Sequence, residues 1–358
     1  MGGIAKIYTI LPAKKQGGRE AAGKKFASGG DSWYNIQDFF KGGSPVTAAA
    51  LSVQLILMVA VGLFAWRARI VSGDFDKQLT ALLMKIALPC MIVRSMSGAF
   101  SWEELKNCGR LVVVALVLWA VTFALGQIAF RLLGGGASAR IARFSMLYTN
   151  FTFVGIPVVE ALYGDLGVFY FVVFLVPYRM IYYSSAEPLL SPPGLERRER
   201  TLADKLKGWF SPPVAAVFVG LVLYITQWKL PAPVSGVVNA LGSCASPLGM
   251  VLCGISLGKY DFRALLRPRY LWTPLIRTLA LPALTLGLCL LAGLEGELAR
   301  VVVIFTALPV ASLLAAFTIQ YDPAQDSQFE AAATVLLSTL LSAFTIPVWA
   351  EVLGVCYP

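Results

Sequence analysis

The sequence predicts an all-α integral membrane protein of ten transmembrane helices, arranged as two inverted five-helix repeats. Three observations carry this. The chain of 358 residues is 57% hydrophobic and only 14% charged, with a mean hydropathy of +0.71. That balance belongs to polytopic membrane proteins and not to soluble domains. Ten apolar stretches follow one another, each of about 20 residues and so able to cross ~30 Å of hydrocarbon as a helix. One long connection, residues 187–211, divides them five and five, and an odd number of spans per half makes the second copy enter the membrane from the opposite face.

The first half places spans at 47–66, 78–100, 111–133, 141–163 and 166–186, and the second at 212–228, 235–258, 270–293, 298–321 and 329–354. The domain plan is a first repeat at 46–186, a linker at 187–211 and a second repeat at 212–358. Ala87-Leu88-Pro89 in the second span and Ala245-Ser246-Pro247 in the seventh, 158 residues later, give the halves a weak likeness. Residues 1–45 are rich in Gly and Lys and hold no apolar run of membrane length. They lack the apolar core of a signal peptide, and Lys6 stands where myristoylation needs Ser or Thr. The expectation is a flexible tail or an over-long gene start.

The net charge is +10, but its distribution argues against a nucleic-acid partner. With the 187–211 loop in the cytoplasm, fifteen Lys and Arg of the loops fall inside, among them Arg67, Arg131, Arg140, Arg197 and Arg263; only Lys106, Arg110, Lys229 and Arg300 fall outside. This is the positive-inside pattern, and it puts both termini of the ten-span body outside. The Lys-rich tail, with seven basic residues, runs against it. No cysteine of the six forms a CxxC pair and no histidine is present, so His-based triads and HExxH zinc sites are excluded. The cysteines read as small apolar residues of the spans. No catalytic residue, metal site, cofactor or ATP-binding P-loop is expected.

Two spans are interrupted. One carries Asn150-Phe-Thr-Phe-Val-Gly155-Ile156-Pro157 in its middle, the other Thr306-Ala307-Leu308-Pro309-Val310, with Pro157 and Pro309 152 residues apart. Proline removes a helical N–H and clashes with the preceding turn. In hydrocarbon the freed groups need protein or a wet cavity, and paired interruptions in two halves point to a binding site near the midplane. Half-helix N-termini there would favour an anion, with the Asn150 amide as donor or cap and Thr149, Thr152, Thr306 and Ser312 supplying hydroxyls. The competing reading is a proline kink in an ordinary packing helix. The candidate binding set is Asn150, Thr149, Gly155, Pro157, Leu308, Pro309 and Val310.

Charged residues inside spans are the next candidates. Glu160 is a candidate proton site or helix cap, and Arg277 a candidate charge partner. Snorkelling or backbone pairing is the competing account for Arg277 and for Lys85, Arg94 and Arg179. Asp322, Asp326 and Glu330 are expected to form a solvated acidic face.

At these residues the chain resembles the auxin efflux carrier family, which spans plant carriers and bacterial malate or malonate permease relatives. The resemblance lies in Asn150-x4-Gly155-Ile156-Pro157-x4-Ala161-Leu162-Tyr163-Gly164-Asp165, Arg277-x4-Pro282, Ala307-Leu308-Pro309, and Leu336-Leu337-Ser338-Thr339-Leu340-Leu341-Ser342 leading to Ile346-Pro347. It covers about residues 48 to 355. It implies that spans 4 and 9 cross at their prolines, that spans 1, 2, 6 and 7 form a scaffold and dimer surface, and that spans 3–5 and 8–10 move. An organic anion would bind at the crossing, with Asn150 contributing. The short central loop suits a bacterial member, hence an inner-membrane homodimer.

The expected function is a secondary transporter of a small organic anion, a carboxylate, working by elevator-type alternating access with H+ or Na+ as an open choice of coupling ion. The alternatives are a sodium-coupled symporter of the bile-acid-carrier type, or a non-transporting membrane sensor.

Overall fold

A computed structural model describes residues 45–193, 211–259, 270–294, 296–322 and 324–357. All the described residues belong to one compact unit, Gly42–Pro358. The expected tail, most of the expected linker, and the basic residues Arg197, Arg198, Arg200, Lys205, Lys207, Arg263, Arg267 and Arg269 lie outside the described residues.

The described residues are helical, with no strand. In chain order they form α1 (Pro45–Arg67), α2 (Phe75–Ser95), α3 (Trp102–Leu132), α4 (Ala137–Leu147), α5 (Ile156–Leu190), α6 (Pro212–Thr226), α7 (Ala232–Gly258), α8 (Trp272–Leu291), α9 (Gly296–Ala307), α10 (Leu313–Tyr321) and α11 (Gln325–Cys356). Among the described residues six helices are long and apolar enough to cross a membrane: α2, α3, Phe151–Tyr182, α7, α8 and α11. The other expected spans take different forms. α6 has 15 residues, and spans 4 and 9 are each split into shorter pieces. Spans 4 and 5 meet within α5 at a kink, where Gly164 with φ +63° and ψ −158° is not helical, a conformation that glycine adopts without a side-chain clash.

α3 begins nine residues before the expected limit. Ser101 caps it, its hydroxyl accepting from the Glu104 N–H at 3.4 Å. The Ser-x-x-Glu spacing that opens helices therefore extends α3 through a charged stretch that hydropathy treats as loop.

Prolines shape three helices in one way. A five-residue π turn precedes Leu88-Pro89, Ile156-Pro157 and Leu281-Pro282. In each, the residue before proline donates to the carbonyl five back: Leu88 to Leu83, Ile156 to Phe151, Leu281 to Ile276. Widening the turn moves the pyrrolidine ring off the carbonyl it would otherwise strike.

The helices pack as two groups that also touch each other, α1 on α11 and both α2 and α7 on α5. α1 lies along the second part of α7, so close that a Cβ on Gly254 would sit 2.0 Å from the Val59 carbonyl oxygen. α2 packs on α6 and on the first part of α7. The second group joins α3 to α4 and α5, and α8 and α9 to α11. One apolar core of buried residues runs through both groups.

Candidate functional site

The two interrupted segments meet. α4 ends at Leu147 and α9 at Ala307, and beyond these ends the chains pair as a short antiparallel bridge at Thr149 and Val310. The Asn150 N–H donates to the Pro309 carbonyl at 2.8 Å, and the Ala311 N–H donates to the Tyr148 carbonyl at 3.2 Å. The Val310 N–H donates to Ser338 Oγ of α11 at 3.1 Å. Five backbone groups freed by the two breaks are satisfied in this way, as buried amides require.

The position of the first break corrects the sequence expectation. It falls at Tyr148–Asn150, seven residues before Pro157. Pro157 lies in the second turn of the helix that Asn150 caps, where the π turn Phe151–Gly155 keeps its ring off the preceding carbonyl, so it widens the helix instead of breaking it. Pro309 lies within the second break, since a residue before proline disfavours the helical conformation. The two prolines are therefore not counterparts.

Asn150 caps the new helix: its Oδ1 accepts from the Phe153 N–H at 3.3 Å, and its carbonyl accepts from Val154 and Gly155. Asn150 is 5% exposed, and its Nδ2 forms no hydrogen bond among the described residues. Thr149 is buried, with Oγ1 unpartnered among the described residues. Gly155 is the point of closest approach, since a Cβ there would lie 2.6 Å from Leu308 Cδ1. Leu308 and Val310 are fully buried. Thr306 is spent on its own helix, donating to the Val303 carbonyl.

Arg277 explains the other two helix ends. Fully buried on α8, it donates from Nη1 to the Met146 carbonyl at 2.8 Å and from Nη2 to the Phe305 carbonyl at 3.4 Å. One cation thus lies on the C-terminal carbonyls of both α4 and α9, where the helix dipoles place negative partial charge. Backbone pairing, and not contact with Glu160, is its observed role.

Arg94 and Arg179 are not snorkelling. Arg94 of α2 forms ion pairs with Glu160 and with Asp165 at 3.1 Å. Arg179 is buried beside the first break, donating to Thr152 Oγ1 at 3.4 Å and lying 5.1 Å from the Phe151 ring centre. Lys85 is exposed. Asp322 is likewise not solvated: it is buried and accepts from Arg140 Nη2 at 2.7 Å, tying the end of α10 to the start of α4. Glu330 accepts from Ser138 at 2.7 Å. Ser338 stood in a recognised motif, but its hold on Val310 was invisible, because it joins residues 28 apart.

A cavity of about 1570 Å³ touches none of the candidate binding residues. It lies between α3, α8 and α9, with apolar walls such as Val113 and Leu288 and with Glu103, Arg110 and Glu297 also lining it. The crossing itself is close-packed, so access to it needs movement of helices.

Membrane-length apolar helices mark an integral membrane protein, and the family that it matches is one of transporters, not of enzymes. A family model described as membrane transport protein matches residues 48–350, and the chain belongs to this family, that of the auxin efflux carriers. It is similar to an uncharacterized transporter of Methanothermobacter thermautotrophicus, 24% identical over 313 residues, which cover 86% of this chain and 98% of the relative.

Proposed function

We propose that the protein is a secondary transporter of a small organic anion, a carboxylate, bound where the two interrupted segments cross. The observation that carries this reading is the unequal treatment of the four helix ends. Arg277 neutralises the two C-terminal ends. The two N-terminal ends, after Asn150 and after Ser312, keep their positive partial charge. Free donors and acceptors beside the first of them, Asn150 Nδ2 and Thr149 Oγ1, suit a carboxylate.

An inverted repeat of ten spans fits the same features. Gly136 and Gly296, Arg140 and Arg300, and Leu147 and Ala307 are each 160 residues apart. α4 and α9 have 11 and 12 residues, or about 17 Å of helix each, half of a bilayer core. The close-packed crossing and the two groups of helices support alternating access in which α3–α5 and α8–α11 move against α1, α2, α6 and α7. We place the protein in a bacterial inner membrane as a homodimer, with the central loop cytoplasmic.

The test is uptake of radiolabelled malate, malonate and monocarboxylates into proteoliposomes, with and without sodium. Wild type should take up at least one of them, and Asn150→Ala should lower the rate about tenfold or more, a loss of ~1.4 kcal/mol or more in binding. Uptake unchanged in Asn150→Ala would overturn the site. Binding of these anions with no flux would favour the sensor reading.

A further inference from the structure

We infer that the cavity between α3, α8 and α9 is a binding site for one membrane lipid, a glycerophospholipid whose headgroup carries both a phosphate and a primary ammonium. The inference needs only that the chain spans a membrane, and it stands whichever substrate the crossing takes.

The cavity is a groove graded from polar to apolar along one face of α3. Glu103, Asn107 and Arg110 line its beginning, and Val114, Val117 and Val121 line the turns that follow. Steps of three and four residues keep all six on one side of the helix. The other walls repeat the grade. α9 packs on both α3 and α8 and forms the floor, with Glu297 at its start and Val302 further in. Val117 is 58% exposed, so the groove opens sideways, toward lipid.

Its depth is that of one leaflet. Trp102, 69% exposed, stands beside the polar end, and an exposed tryptophan at the start of a span lies at the level of lipid headgroups. Arg110 and Val121 are eleven residues apart, or about 16 Å of helix. Half of the hydrocarbon core of a bilayer is ~15 Å. The lining ends at Val121 although α3 runs on to Leu132. A ligand with a polar head and tails of one leaflet's length fits this groove better than a helix of a second copy, which would run on through both leaflets.

The polar end carries both signs of charge. Arg110 Nη1 donates to Asn107 Oδ1 at 3.3 Å, and Asn107 Nδ2 donates to the Tyr170 hydroxyl of α5 at 3.4 Å. That chain steadies the guanidinium, whose other N–H groups suit a phosphate. Glu297 gives one oxygen to Arg300 at 2.9 Å, and its Oε2 is buried with no partner among the described residues. Together with the exposed Glu103, it offers acceptors to an ammonium. Two carboxylates against one guanidinium disfavour a purely anionic headgroup; Lys106, the other cation of this turn, does not line the groove. A quaternary ammonium has no N–H to donate. Acyl chains gain little by leaving other acyl chains for valine walls, so the headgroup sets the selectivity and the walls set the fit.

Native mass spectrometry of the full chain in detergent reads the first bound lipid, with phosphatidylethanolamine, phosphatidylcholine and phosphatidylglycerol of the same acyl chains titrated in turn. The ethanolamine lipid should bind about tenfold more tightly than the other two, the factor a charge-assisted hydrogen bond supplies. Arg110→Ala should abolish that preference. Val117→Trp, which fills the groove, should weaken the first binding of all three about tenfold. Both positions are exposed, so the thermal midpoints of the lipid-free variants should equal that of wild type. The ethanolamine lipid should raise the midpoint of wild type and not that of Val117→Trp. Equal affinity of wild type for the three lipids would overturn the inference, as would a preference that survives both substitutions. A dimer that Val117→Trp dissociates while lipid binding is unchanged would give the groove to a second copy and overturn it too.

Discussion

The closeness of the crossing can be tested by adding one methyl group. In Gly155→Ala the new Cβ would lie 2.6 Å from Leu308 Cδ1 and 3.0 Å from Phe171 Cζ, where carbons prefer about 3.5–4.0 Å. Leu308 and Phe171 are both fully buried, so neither can swing into open space. Overpacking of this kind costs about 1–3 kcal/mol. Gly155 has helical φ and ψ of −64° and −53°, so alanine recovers about 1 kcal/mol of helix propensity. The net expectation is a loss of ~0–2 kcal/mol, too small to diagnose alone. The double mutant decides it. In a Leu308→Ala background the obstructing Cδ1 is gone, and Gly155→Ala should become neutral or stabilising, a coupling of about 1–3 kcal/mol. Unfolding in lipid nanodiscs, followed by tryptophan fluorescence, measures the four variants. Additive effects within ~0.3 kcal/mol would refute the claim that Gly155 is there to admit Leu308.

Other perturbations probe neighbouring parts of the same assembly. Arg277→Met removes the donors to the Met146 and Phe305 carbonyls, leaving two buried acceptors at about 1–3 kcal/mol each; a lower thermal midpoint and loss of uptake are expected, and wild-type stability would contradict the clamp. Arg140→Ala should cost about 3–5 kcal/mol by stranding buried Asp322, whereas Arg140→Lys should cost less. Burial pushes the Asp322 carboxyl up, but hydrogen bonds from Arg140 and the Ala324 N–H outweigh it and hold the carboxyl below its usual value. Its stabilising effect is therefore complete above the unfolded value of about 4 and fades as pH falls through the lower folded value; Asp322→Asn should flatten that acid limb in a pH series of melts. Ser338→Ala removes the acceptor of the buried Val310 N–H, and a loss of about 1–3 kcal/mol in unfolding free energy is the expected result.

Much of the architecture was readable from residue order. Hydropathy located the helices, and their observed ends mostly fall within a few residues of the expected limits. The exception, α3, began early because a Ser101–Glu104 cap outweighs the polarity of its first turn. Asn150 was recognised as a donor or cap beside a break, and it is a cap. Proline alone puts the break in the wrong place, because Pro157 stands inside the helix that begins at Phe151 and only widens its turn. Sequence position places Asp322 at the end of a span, where solvent is expected, and says nothing of the partner that reaches it from 182 residues away.

The sequence by itself determined that this chain spans a membrane, that two of its spans are interrupted, and to which family of transporters it belongs. These follow from composition, proline placement and local motifs, all properties of short stretches. Only the tertiary structure decided what the polar residues do: that Arg277 serves both helix ends, that Glu160 joins the crossing helix to α2 and α7, and that Thr149 is left unpartnered among the described residues. The physical reason is distance along the chain. A buried charge must find its partner wherever folding brings one within about 3 Å, and no local pattern records which residue that is.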